Sequence, residues 1–80
     1  MDQPQINYVD PLSILVINPS GRMRQLFVPF KAQVIERTAN ISLNTWVMVE
    51  EVRSDVSYKL LYRVGNHWWP YYAFRIAIHF

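Results

Sequence analysis

From Tyr72 to Phe80 the chain alternates almost perfectly, with Tyr72, Phe74, Ile76, Ile78 and Phe80 on one side and Ala73, Arg75, Ala77 and His79 on the other. A period of two belongs to an extended strand with one face on a core and one toward water. The rest of the sequence supports the same class. Nine Val, seven Ile, five Tyr, four Phe and three Trp stand against four Ala, in a chain of 80 residues. β-Branched and aromatic side chains fit a pleated surface, and Ala-poor segments make weak helices. The expectation is a single all-β domain with a modest core, in which one substitution matters.

The turns divide the chain. Leu12–Ile17 meets Asn18-Pro19-Ser20-Gly21 and returns through Arg22–Val28. Proline early in a turn and glycine at its end are hairpin chemistry, so residues 12–28 read as an N-terminal β-hairpin. Pro29, without an N–H, marks a strand end or an edge. Residues 1–11, with Pro4 and Pro11, read as a flexible arm, leaving 12–80 as one domain. Lys31–Ala39 fits two helical turns or a strand; its apolar stripe of Val34, Ile35 and Ala39 is thin for a helix, so a strand is favoured. Thr45–Arg53 and Tyr58–Val64 form the strongest hairpin around Ser54–Ser57. Pairing Arg53 with Tyr58 places Val47, Val49, Tyr58, Leu60, Tyr62 and Val64 on one face. Met48, Glu50, Lys59 and Arg63 take the other, and Glu50 and Glu51 point to opposite sides. Gly65-Asn66 breaks this strand, and His67-Trp68-Trp69 opens another. Pro70-Tyr71-Tyr72-Ala73 suits a tight 3₁₀ turn before the last strand.

From Ile41 onward this order resembles an SH3-like barrel. Ser42-Leu43-Asn44 leads into Trp46-Val47-Met48-Val49, a paired hairpin follows, and an aromatic strand runs into Pro70, a short turn and Phe74-Arg75-Ile76. The resemblance is one of fold and covers about half the chain. It implies a small barrel of about five or six antiparallel strands, to which the hairpin at 12–28 is added. The Ala-Leu-Tyr-Asp-Tyr run of signalling SH3 domains has no counterpart here, and Trp68-Trp69 abuts Pro70. Polyproline-binding residues are therefore not carried over.

Composition excludes several functions. The absence of cysteine removes disulfides, thiolate metal sites and cysteine nucleophiles. The apolar runs are shorter than the ~20 residues of a membrane helix. Met1–Gln5 lacks the basic and apolar blocks of a signal peptide, which points to the cytoplasm and away from a membrane. His67 and His79 stand alone, and no Ser lies in a nucleophile elbow. The reading is of no enzyme, no catalytic residue, no metal and no cofactor.

Two binding readings remain. Neighbours on a strand alternate sides, so one of Trp68 and Trp69 should be core and the other partly exposed. Trp68, Trp69, Tyr71 and Tyr72, with Trp46, form a candidate aromatic edge for a protein partner. The same rings also suit a core, base stacking or a cationic ligand. The hairpin at 12–28 offers a second route, strand addition to a partner or self-association. The alternative is a single-stranded nucleic-acid binder using Arg22, Arg24, Arg63 and Arg75 at a net charge of +2. Glu50 and Glu51 lie among those cations, which favours the protein-interaction module.

Overall fold

The computed structural model describes residues 4–37 and 41–80, and over these the chain is all-β. Nine strands follow in order: β1 Gln5–Asp10, β2 Ser13–Ile17, β3 Met23–Phe27, β4 Phe30–Val34, β5 Trp46–Val49, β6 Glu51–Asp55, β7 Lys59–Val64, β8 His67–Pro70 and β9 Phe74–Ile76. They form three antiparallel three-stranded sheets, ordered β1-β2-β3, β5-β4-β9 and β6-β7-β8. None of the three closes into a barrel. The count exceeds the five or six strands expected because Gln5–Asp10 adds a strand and the segment Thr45–Arg53 divides at Glu50 into β5 and β6.

The N-terminal hairpin forms as its turn residues require. The Gly21 N–H donates to the Asn18 carbonyl at 2.9 Å, and Gly21 adopts φ 91°, a conformation that costs a residue without Cβ little. Part of the expected arm is built in: Gln5–Asp10 pair with β2 from Gln5↔Ile17 to Asp10↔Ser13, with an irregularity before Asp10. Tyr8 and Ile6 lie opposite Ile14 and Val16, which supplies the apolar partners that Pro4 and the glutamines obscured. The favoured strand at Lys31–Ala39 appears as β4 over Phe30–Val34, while Thr38–Asn40 lie outside the described residues.

The central hairpin differs from its expected register. Arg53 pairs with Leu61, not Tyr58, and Tyr62 lies opposite Val52. The loop sets the difference: Asp55 pairs with Lys59, so the turn is residues 56–58 and not 54–57. At the other end of the ladder the Glu50 N–H donates to the Arg63 carbonyl at 2.9 Å while Glu51 is the register partner of Arg63, so two residues oppose one. This is a β-bulge, and it turns the chain from one sheet into the next. The bulge also brings Glu50 and Glu51 onto one guanidinium, correcting the expectation that they diverge. Tyr58 leaves the strand for the turn, where the Asp55 carboxylate accepts the Ser57 and Tyr58 N–H groups at 2.9 and 3.0 Å.

The last strand is shorter than its alternation. Tyr71–Ala73 make the expected 3₁₀ turn and β9 ends at Ile76, because β4 offers pairing only through Ala32–Val34 and the Lys31 carbonyl. Burial still alternates: Phe74 is buried, Ile76 and Ile78 are half-buried, and Arg75, Ala77 and His79 are exposed.

All three sheets contribute to one core. Ile14 and Val16 come from the first sheet, Phe30, Ala32, Val34, Val49 and Phe74 from the second, and Val52, Leu60 and Tyr62 from the third. Tyr62 is its largest fully buried side chain, with its ring 5.4 Å from Phe30, edge-on, and 5.9 Å from Phe74. Its hydroxyl has no hydrogen-bond partner among the described residues, and burial, with the nearby Tyr71 phenol, pushes its pKa well above the usual tyrosine value. Leaving such a group unpaired costs about 1–3 kcal/mol. Tyr62→Phe removes the orphan and retains the ring, so it should raise stability by about 1 kcal/mol in urea unfolding at neutral pH. The unfolded chain releases this proton above pH of about 10 and the folded chain does not, so wild-type stability should fall above that pH. The slope approaches about 1.4 kcal/mol per pH unit. Tyr62→Phe should show a shallower decline in the same titration.

Candidate partner-binding surface

Pairing in the third sheet settles the two adjacent tryptophans. Trp69 is opposite Tyr62 and packs on the core, its Nε1 buried without a partner among the described residues. Trp68 is opposite Arg63 on the outer face, where the Arg53 guanidinium carbon lies 4.5 Å from its ring centroid. Leu61 shares that face and is buried. Guanidinium over indole is a cation–π stack, worth about 0.5–1 kcal/mol at a partly exposed site. Trp68 is therefore engaged by Arg53 on the outer face.

The other members of the expected aromatic edge separate. Trp46 is half exposed on β5 with the Lys31 Nζ 5.8 Å from its ring centroid. Tyr71 and Tyr72 occupy the 3₁₀ turn with rings 5.8 Å apart; Tyr71 packs partly on the core and Tyr72 is 46% exposed. The ring of Tyr58 completes this group, 6.4 Å from Tyr72. Among the described residues no ring contact joins Trp46, Trp68, Trp69 and the tyrosine pair, so the five residues form four local arrangements.

Tyr71 and Tyr72 border an open cleft of about 650 Å³. Ile6, Ile35, Tyr71 and Phe74 give it apolar lining, Gln5 and Asn7 polar lining, and Glu36 and Lys59 one charge of each sign. Lys59 holds φ 68° in a three-residue turn closed by the Leu60 N–H on the Tyr58 carbonyl at 2.8 Å. A non-glycine residue there is strained by about 1–3 kcal/mol, and such strain collects at functional positions. The sequence reading missed Tyr58 and Lys59 because the wrong register put them inside a regular strand. It missed Ile6 because the arm was not expected to pair.

The arginines of the alternative reading also disperse. Arg24 Nη1 donates to the His79 carbonyl, and Arg75 Nη2 donates to Gln33 Oε1 at 2.6 Å. Arg63 Nε donates to Glu51 at 3.1 Å, and its Nη1 reaches Glu50 at 3.4 Å and the Gly65 carbonyl at 3.0 Å. Arg22 is exposed beside the first turn. Among the described residues no group of three His, Asp or Glu side chains could hold a metal ion. No helix among the described residues is long and apolar enough to cross a membrane.

No protein-family model, curated protein or solved structure matches the chain. The geometry must carry the functional reading. It also assigns Arg63 a structural task, holding two carboxylates at the bulge. Arg63→Ala should lower stability by about 1 kcal/mol in urea unfolding, the upper range for a partly exposed pair. Glu50→Ala should cost less, because Glu51 keeps the guanidinium.

Proposed function

We propose that the chain is a non-catalytic protein-interaction module of the cytoplasm, an adaptor, accessory subunit or inhibitor, that binds an extended segment of a protein partner in the tyrosine-lined cleft. The observation that carries this reading is the cleft itself. Its lining combines apolar side chains, the rings of Tyr71 and Tyr72 and a single charge of each sign. Tyrosine supplies large contact area with little rotamer entropy to lose, and partly exposed rings of this kind are common binding hot spots. Glu36 and Lys59 would orient a partner without drawing it by net charge. The aromatic edge read from the sequence is thereby narrowed to Tyr71 and Tyr72, with Tyr58 added and Trp68 and Trp46 peripheral.

An SH3-like arrangement is part of the same proposal. The Pro70-led 3₁₀ turn between β8 and β9 and the paired β6-β7-β8 sheet support it. Nucleic-acid binding through Arg22, Arg24, Arg63 and Arg75 is the weaker reading. Arg63 is neutralised by Glu50 and Glu51, and phosphate binding depends on free, gathered cations.

The test is affinity capture of the tagged chain in its native host, nuclease-treated, comparing wild type with Tyr72→Ala. Tyr72 is exposed, so its truncation should leave the unfolding midpoint within about 0.5 kcal/mol of wild type. A stoichiometric protein retained by wild type and reduced at least tenfold with Tyr72→Ala supports the cleft. Equal capture by both chains removes it, and recovery of only nuclease-sensitive material transfers the reading to the arginines.

A further inference from the structure

The first sheet leaves a strand edge open. In β2–β3 the Val28 N–H donates to the Leu12 carbonyl at 2.8 Å and the Asn18 N–H to the Arg22 carbonyl at 2.9 Å. Bonded pairs recur at every second position of an antiparallel ladder, so Ile14↔Leu26 and Val16↔Arg24 continue the series. Met23, Gln25 and Phe27 must then direct their N–H and C=O groups away from β2. None of these groups takes part in the other backbone hydrogen bonds among the described residues.

The other edges are blunted. β8 ends in Pro70, β9 has three residues around Arg75, and β6 carries Glu51, Arg53 and Asp55. β1 packs toward β6, and β5 is four residues long. Charge, proline and short length are the usual guards of a strand edge. β3 has one charged residue, Arg24, and its guanidinium is held by the His79 carbonyl. On the outer face the β2 and β3 residues nearest the edge, Leu15, Ile17, Met23, Gln25 and Phe27, carry no charge; the carboxylate of that face, Asp10, lies two strands from the edge and accepts from the Leu12 N–H and the Ser13 hydroxyl. Met23 is 66% exposed and Phe27 61%.

We infer that β3 pairs antiparallel with β3 of a second copy of this chain, about a two-fold axis through Gln25, to make a continuous six-stranded sheet. The occupant follows from the spacing. The open groups fall at Met23, Gln25 and Phe27, symmetric about Gln25. A two-fold there therefore gives Gln25 to the partner's Gln25, Met23 to the partner's Phe27 and Phe27 to the partner's Met23. Each pair exchanges two hydrogen bonds, six in all, and no open group of β3 is left over. On the outer face each thioether meets a phenyl ring, a favourable sulfur–aromatic contact. An isologous contact needs this self-complementarity, which an arbitrary edge lacks. The lack of charge at Met23, Gln25 and Phe27 also lets two chains of equal net charge approach. One strand pair buries less than the ~800 Å² per partner of a standard interface, so the dimer should be weak, with Kd on the order of tens of micromolar.

Sedimentation velocity of the full chain, from low micromolar to near-millimolar concentration, reads this equilibrium directly. Wild type should pass from monomer to dimer, and Met23→Lys and Phe27→Glu should each associate at least tenfold more weakly. Mixed in equal amounts, those two variants should recover dimer, since Lys at 23 then faces Glu at 27 across the axis. Circular dichroism checks that each folds, as exposed side chains allow. Because the chain has no cysteine, Gln25→Cys gives a register test: mild oxidation should link it to itself, since opposed Cα atoms of a bonded pair lie at about 5.5 Å, within disulfide reach. Tyr72→Cys should stay unlinked. A wild-type monomer at every concentration overturns the inference, as does a dimer that keeps its affinity in Met23→Lys or leaves Gln25→Cys unlinked. Cleft binding is read separately by Tyr72→Ala, so the two proposals fail independently.

Discussion

Val49 and Val52 stand three residues apart on one extended segment, yet both are fully buried in the same core. In a regular strand an odd separation puts two side chains on opposite faces. The extra residue at Glu50 resolves the conflict, and the architecture depends on it. With the bulge, the segment from Trp46 to Asp55 serves first as β5 beside β4 and then as β6 beside β7. Two sheets can then face one core in a chain too short for longer connections. The interaction that fixes the position is Arg63, whose carbonyl accepts the Glu50 N–H while its guanidinium holds the Glu50 and Glu51 carboxylates. Backbone and side chain of one residue thus set where the strand turns.

Tyr62 follows from that turn. With Val52 opposite Tyr62, the ring projects to where Phe30 and Phe74 of the second sheet meet it. The apolar gain of burying a ring of this size exceeds the cost of an unpaired hydroxyl, which explains why a tyrosine survives at the centre. Small domains bury a smaller fraction of their surface, so one large ring shared between two sheets replaces several aliphatic contacts.

Much of the fold was legible where local chemistry decides it. The Asn18–Gly21 turn, the break at Gly65 and the 3₁₀ turn after Pro70 depend on residues adjacent in sequence, and each formed as expected. Register in the central hairpin depends on a loop that closes at Asp55↔Lys59, and alternation alone fixes neither that loop nor the extra residue at Glu50. The signal was present in Val49-Glu50-Glu51-Val52, a doublet of acids between two apolar residues, but it reads as a bulge only when both valines must face the same core. β1 was hidden for a similar reason: Ile6 and Tyr8 acquire meaning only opposite Val16 and Ile14. The tyrosine pair at the cleft was recognised by residue type. Its companions Tyr58, Lys59 and Ile6 come from elements whose pairing was misplaced or unforeseen.

The distribution of charge ties the surfaces together. Arg53 stacks on Trp68, Arg63 holds the bulge, Arg75 reaches Gln33 and Arg24 reaches the C-terminal segment at His79. In a chain without disulfides, these long side chains fasten elements far apart in sequence, and their stems cover apolar surface as they do so. A basic composition spent in this way does not make a basic face. It also removes cations from the outer side of the first sheet, where Gln5, Asn7 and Gln25 replace them. Neutral amides among Leu15, Ile17, Met23 and Phe27 keep that face wettable without repelling an identical one. The same economy that makes the arginines poor ligands for phosphate therefore leaves the β3 edge suited to backbone pairing with a copy of itself.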